Sequence, residues 1–204
     1  MKRVLGCTPR LLQRLTLSAL VLGVVPTGVA NERSACRALE IEVLRMEPAP
    51  MQYLDFCNAN PGHCASGGEA ILEWSEETEM TLARVNREVN AEIEFQPDWD
   101  SRGVEDFWCY PADGVGDCED LALEKRRRLV ALGSPRGALT LAIVHHREKF
   151  FAHTLLLAET TAGTFLLDNL DDALRCWDAV PYRFERREGS DGRWIRYSPI
   201  RQAE

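Results

Sequence analysis

Hydrophobic residues change their spacing along this chain, and each change marks a different kind of structure. From Leu15 to Val25 the run is apolar apart from Thr16 and Ser18. From Glu76 to Ile93 apolar positions recur at three- and four-residue intervals: Met80 or Thr81, then Leu82, Val85, Val89 and Ile93. With Glu and Arg between them, that spacing predicts an amphipathic helix. A second helix opens at the turn Asp113–Gly116, continues through Leu121, Ala122, Lys125, Leu129 and Leu132, and stops at Gly133. Its buried stripe is expected to take in Cys118, Leu121, Leu129 and Leu132. Lys125, Arg126, Arg127 and Arg128 in its middle read as a solvated face, partly compensated by Glu124. A short helix is expected around Arg37–Arg45, ended by Pro48-Ala49-Pro50.

Beyond Gly133 the pattern becomes that of strands: 138–144, 153–158, 164–167, 181–184 and 194–197. Thr161-Ala162-Gly163 is a hairpin turn, so the second and third of these strands are antiparallel neighbours. Helices followed by an antiparallel sheet make an α+β domain.

The apolar run at the start changes the domain count. Met1–Arg14 holds Lys2, Arg3, Arg10 and Arg14 and no acid, and small residues follow the run up to Ala30. This is the three-part pattern of a signal peptide, and eleven apolar residues are too few to span a bilayer. Residues 1–30 are therefore expected to be a leader and residues 31–204 one domain, periplasmic or secreted. The chain carries a net charge of −8, and without the four basic residues of the leader it carries −12. Such a balance argues against binding nucleic acid and permits a calcium site.

Export also makes disulfides available to the six cysteines that remain: Cys36, Cys57, Cys64, Cys109, Cys118 and Cys176. Cys57 and Cys64 bracket a Pro-Gly turn and are expected to pair; a zinc site with His63 would need ligands that are not evident. Cys118 is different. It stands between Asp117 and the pair Glu119-Asp120, where a loop turns into a helix. A helix N-terminus lowers a thiol pKa, and a neighbouring imidazolium does so more strongly. His145 and His146 end one strand, while His153 begins the next and lies across the hairpin from Asp168. Separately, each of these residues has an ordinary structural reading, Cys118 paired with Cys109 included. Together they place a thiol on a helix tip and a histidine beside an aspartate at one end of a sheet, the arrangement of an activated nucleophile.

The run F-W-C-Y-P-A-D-G-V-G-D-C-E-D-L-A-L-E-K-R, followed by H-T-L-L-L and F-L-L-D-N-L, closely resembles the bacterial transglutaminase-like cysteine proteinases. The resemblance is dense from Phe107 to Trp177 and looser back through V-N-R-E-V-N at Val85–Asn90. It implies a papain-like, transglutaminase-type fold and an exported cysteine peptidase working through a thioester. Cys118 would be the nucleophile, His153 the general base and Asp168 its orienting acid. It also implies calcium held by Asp117, Glu119 and Asp120, though Asp117 and Asp120 can equally cap the helix. The implied partners are a protein substrate, such as a surface adhesin, and a membrane-bound regulator. Members that release adhesins carry Asp-Tyr-Ala and His-Met-Val where this chain has Asp120-Leu121-Ala122 and His153-Thr154-Leu155, so the triad carries over more directly than the substrate. The oxyanion donor is expected to be the Cys118 backbone N–H, with Trp108 shaping the cleft. Two other functions fit the same residues: transamidation, and a noncatalytic calcium-dependent binding or regulatory role.

Overall fold

In the computed structural model, which describes residues 35–111 and 113–199, the order is β1 (Val43–Glu47), α1 (Met51–Ala59), α2 (Pro61–Cys64), α3 (Glu76–Glu92), β2 (Glu94–Phe95), α4 (Asp98–Arg102), β3 (Val115–Gly116) and α5 (Cys118–Ala131). Six strands follow: β4 (Leu139–His146), β5 (Ala152–Thr160), β6 (Gly163–Asp168), β7 (Asp171–Cys176), β8 (Tyr182–Glu188) and β9 (Trp194–Tyr197). The expected leader, residues 1–30, lies outside the described residues. No helix among the described residues is long and apolar enough to cross a membrane.

Seven strands form one antiparallel sheet in the order β1-β9-β8-β4-β5-β6-β7. The N-terminal helices pack on one face, so the α+β architecture expected from the sequence is the one observed. Leu82, Val85 and Val89 of α3 and Leu121, Leu123 and Leu129 of α5 meet Leu139, Leu141, Leu156 and Leu167 of the sheet. A second apolar layer covers the other face, where Val144, Leu155, Leu157, Tyr182 and Phe184 take Leu39, Ile41, Trp177 and Val180 against them. Because both faces are covered, the central strands are buried almost end to end. That is why they read as near-continuous apolar runs with little alternation.

The structure corrects three expectations. Residues 37–42 form no helix; the segment lies along β6, with Thr164 N–H donating to the Arg37 carbonyl and Leu39 N–H to Thr164 Oγ1. Val43–Glu47 then pairs with β9 at the sheet edge. A disulfide between Cys36 and Cys176, 140 residues apart, fixes the segment there. Gly163 is needed at this crossing: its φ is +107°, and a Cβ would stand 2.0 Å from the Cys36 carbonyl oxygen. Cys57 and Cys64 are bonded as expected, and Cys109 and Cys118 are both free thiols. His63 is hydrogen-bonded through Nδ1 to the Tyr110 hydroxyl at 2.5 Å.

The second correction concerns Lys125–Arg128. Lys125 and Arg126 are buried, because α5 is enclosed by α3, the sheet and α1. Arg126 meets Glu188 of β8 at 2.8 Å, and Glu188 also takes Arg136 at 2.6 Å and the Tyr53 hydroxyl at 2.7 Å. Every charge in that cluster is paired, as burial requires. Arg127 and Arg128 both hold Glu124 at 2.7 Å, and Arg128 also reaches Glu92. Third, Leu132, expected on the buried stripe, is exposed at the helix C-cap.

Candidate active site

The loop before α5 brings Cys118 to the first turn of the helix. β3 pairs in parallel with β2, and Gly116 then passes so close to the helix that a Cβ would lie 2.8 Å from Asp120 Cβ. A side chain at that position would push Asp120 and the start of the helix apart. Asp117 is the N-cap residue, yet its side chain makes no capping bond. Asp120 does not answer it either; its Oδ1 accepts Cys109 N–H at 2.7 Å. The capping alternative is therefore not what these carboxyl groups do.

β5 pairs with β6 only from Leu156 to Thr160, so the first residues of β5 have no ladder partner in β6. The tip of α5 comes in there, and Thr154 N–H donates to Cys118 Sγ at 3.4 Å. One residue earlier, His153 Nε2 lies 2.8 Å from Asp168 Oδ1. This contact uses Nε2 and leaves Nδ1 as the ring nitrogen that Asp168 does not engage. Both side chains are buried. Burial pushes the Asp168 carboxyl up, but the His153 contact, the Tyr182 hydroxyl and Leu170 N–H outweigh it and hold the group below its usual range. The other two strand histidines are occupied elsewhere. His145 Nε2 meets Glu185 at 2.5 Å, and His146 Nδ1 accepts Glu148 and Lys149 N–H at 3.2 Å.

From behind, α3 holds the turn that carries Asp168. Asn90 Nδ2 donates to the Asp168 carbonyl and to Asp172 Oδ1, both at 2.9 Å, and Asn86 Nδ2 to the Asp171 carbonyl at 2.8 Å. The V-N-R-E-V-N pattern thus places two amides four residues apart on one helix face. Trp108 is buried rather than lining a cleft; its ring packs on Tyr53 and its Nε1–H donates to Asp106 Oδ1 at 2.9 Å.

Asp106 belongs to a larger acidic group than the three residues expected from the sequence. Oxygens of Asp98, Asp106 and Glu119 lie within 4.8 Å of one another, as do those of Asp98, Asp117 and Asp120. Asp98 sits in α4, where its carboxylate accepts Phe107 N–H and faces Arg102 at 3.4 Å. Asp98 Oδ1 and Asp117 Oδ1 are buried and accept no hydrogen bond. Burial pushes the carboxyl groups of Asp117 and Glu119 above their usual range, and burial takes Asp120 up to about 7. Cys118 Sγ itself donates to Glu119 Oε2 at 3.1 Å, and burial, then Glu119, push the thiol well above its usual value.

This donor set fits a hard divalent cation. The candidate donors are carboxylate oxygens, of which Asp117 Oδ1 is buried without a hydrogen bond and Asp98 Oδ1 has only the Arg102 ion pair, and a spread of up to 4.8 Å spans one ion whose Ca–O distances are about 2.4 Å.

Lys125 lies further along α5 than the acids, 1% exposed, with Asp168 and Asp172 as the carboxylates that act on it. Burial pulls its ammonium down to about 7 against the pull of those two carboxylates. Between that value and the unfolded value of about 10.4, the unfolded chain holds a proton that the folded chain does not. Stability therefore rises with pH across that window. Lys125→Met is expected to abolish the rise and to raise the melting temperature at pH 7. A variant that melts lower at pH 7 and keeps the slope would show that the charge is a net stabiliser.

A family model described as bacterial transglutaminase-like cysteine proteinase BTLCP matches residues 44–201. No curated protein matches the chain significantly. Among solved structures, calcium-bound LapG of Legionella pneumophila is similar, with a TM-score of 0.52 and 20% identity, covering 74% of this chain and 83% of that one. EGTA-treated LapG of the same organism gives 0.51 and 23%, covering 72% and 77%. The likeness to both is one of fold.

Proposed function

From the premise that the chain belongs to the bacterial transglutaminase-like cysteine proteinases, we propose that it is exported by residues 1–30 and hydrolyses peptide bonds of a periplasmic or surface protein. The observation that carries this reading is the meeting of Cys118 with the first residues of β5, one residue from the His153–Asp168 pair. In the first half-reaction His153 Nδ1 takes the thiol proton and Sγ bonds to the scissile carbonyl carbon. The C–N bond breaks and the imidazolium returns its proton to the leaving amine. Water then attacks the thioester with His153 as base, and the thiol is restored. The Cys118 N–H, in the first turn of α5, is free of helical bonding and is the donor we assign to the oxyanion.

We further propose that Asp98, Asp106, Asp117, Glu119 and Asp120 hold calcium. When bound, the cation would neutralise Glu119 and Asp117, whose charges add to burial in keeping the thiol protonated. LapG, which shares the fold, has been solved with calcium bound. A surface adhesin is the substrate class we favour, on the family resemblance.

The reading is tested in cells of the producing bacterium. Surface and secreted proteins of a strain carrying the native protein are compared with those of a Cys118→Ala strain. At least one large surface protein is expected to be shortened or released only with the native chain. If no protein changes length or release, cleavage of a surface partner is wrong.

A further inference from the structure

Asp168 is held by more than its histidine. Its Oδ1 accepts His153 Nε2–H at 2.8 Å and Leu170 N–H at 2.9 Å, while Oδ2 accepts the Tyr182 hydroxyl at 2.6 Å. Tyr182 reaches it from β8, two strands beyond β5 in the sheet. The phenol is 5% exposed and Asp168 4%. The Tyr182 ring also lies 5.7 Å from the His153 ring and 5.6 Å from that of His146, its cross-strand neighbour. A buried carboxylate that presents both oxygens to fixed donors can neither rotate nor take up a proton easily.

We propose that Tyr182 is a positioning residue for the Cys118–His153–Asp168 set, a role that rests on the peptidase reading above. Its hydroxyl fixes the Asp168 carboxylate so that Oδ1 alone faces the imidazole. That choice keeps the neutral ring's proton on Nε2 and leaves Nδ1 as the acceptor for the thiol proton. The phenol can serve throughout the working range because burial, and then Asp168, push its own ionisation far above the usual value. In this role it acts through Asp168.

The test is Tyr182→Phe, which keeps the ring against His146 and His153 and deletes only the donor. Loss of a hydrogen bond to a charged group is worth about 10- to 100-fold in rate, so kcat is expected to fall by that factor with KM unchanged. Nitrogen-15 NMR of the histidine rings, at one pH and with calcium present, is expected to show His153 losing Nε2–H in favour of Nδ1–H. Leu157→Ala, in the same apolar layer, controls for lost packing: it should lower the melting temperature without moving the His153 signals. Should Tyr182→Phe not fold, 3-fluorotyrosine at position 182 keeps the shape and changes the phenol's acidity, and it has to move the His153 Nε2–H resonance. Unmoved His153 resonances in a folded variant overturn the proposal. The ring signals need no substrate, so they decide the role of Tyr182 even if no cleaved protein is ever found.

Discussion

Replacing Cys118 by Ala is expected to remove peptide-bond cleavage almost completely, by at least about 10³-fold in kcat, while the fold stays intact. Loss of a catalytic nucleophile acting with its base as a unit has costs of that size or larger. The fold should not suffer, because the thiol supports little of it. The thiol's hydrogen bonds are one from the Thr154 backbone N–H and one to Glu119, and alanine keeps the helix position. Cys118→Ser is expected to lose nearly as much activity, since the hydroxyl is a far weaker nucleophile in the same place. Selective alkylation gives a second readout in the calcium-loaded native protein. Iodoacetamide near neutral pH should modify Cys118 and spare Cys109. Burial and Asp120 push the Cys109 thiol up to about 12, and its Sγ is in contact with Arg102 and Asp120. Peptide mapping that finds Cys109 modified first, or a Cys118→Ala protein that still cleaves, would remove Cys118 from the centre of the mechanism.

Some of this arrangement is legible in the sequence, and its limits are physical. A short hairpin leaves β5 and β6 one way to pair, so local pattern alone brings His153 beside Asp168. Nothing local says that β8 lies beside β4, so Tyr182 is invisible as a partner of Asp168 until the strand order is known. The acids at 117, 119 and 120 announce themselves by standing next to one another. Asp98 and Asp106 join them only because β2 pairs with β3 and folds α4 back over the helix start. The K-R-R-R run misleads for a related reason: charge patterning describes the helix alone, and Glu188, which makes burial of Arg126 tolerable, comes 62 residues later. Residues 37–43 did carry a usable signal. Leu39, Ile41 and Val43 alternate with Glu40 and Glu42, a period of two that favours an extended chain over a helix.

Removing calcium is expected to have the other large effect, on activity and on stability together. Five carboxyl groups converge at the start of α5, and burial first, with the neighbouring acids adding to it, pushes Asp117, Glu119 and Asp120 upward. A carboxyl whose folded value lies above its unfolded value of about 4 binds more protons in the folded chain. Its favourable contribution is complete below that unfolded value and is lost as pH rises through the folded one, which for Asp120 is about 7. In the presence of EGTA the melting temperature should therefore fall steadily from pH 5 to pH 8. With calcium present the acids have a better partner than protons, and the fall should largely disappear. At a calcium concentration 100 times the dissociation constant the gain is about 2.7 kcal/mol. For a chain of this size that is roughly 5–10 °C at pH 8, shrinking toward zero near pH 5. Cleavage and iodoacetamide labelling of Cys118 should fall with the same calcium dependence, since Glu119 and Asp117, two of the proposed ligands, add to burial in holding the thiol protonated. Asp98→Asn separates this account from one confined to residues 117–120. It lies outside α5, yet the substitution should weaken calcium binding by tenfold or more, because Asp98 shares an oxygen cluster with Asp117 and Asp120 and another with Asp106 and Glu119. Equal melting temperatures in calcium and EGTA at pH 8 would leave the acidic cluster as a purely proton-stabilised feature of the fold, and the thiol would then need another source of activation.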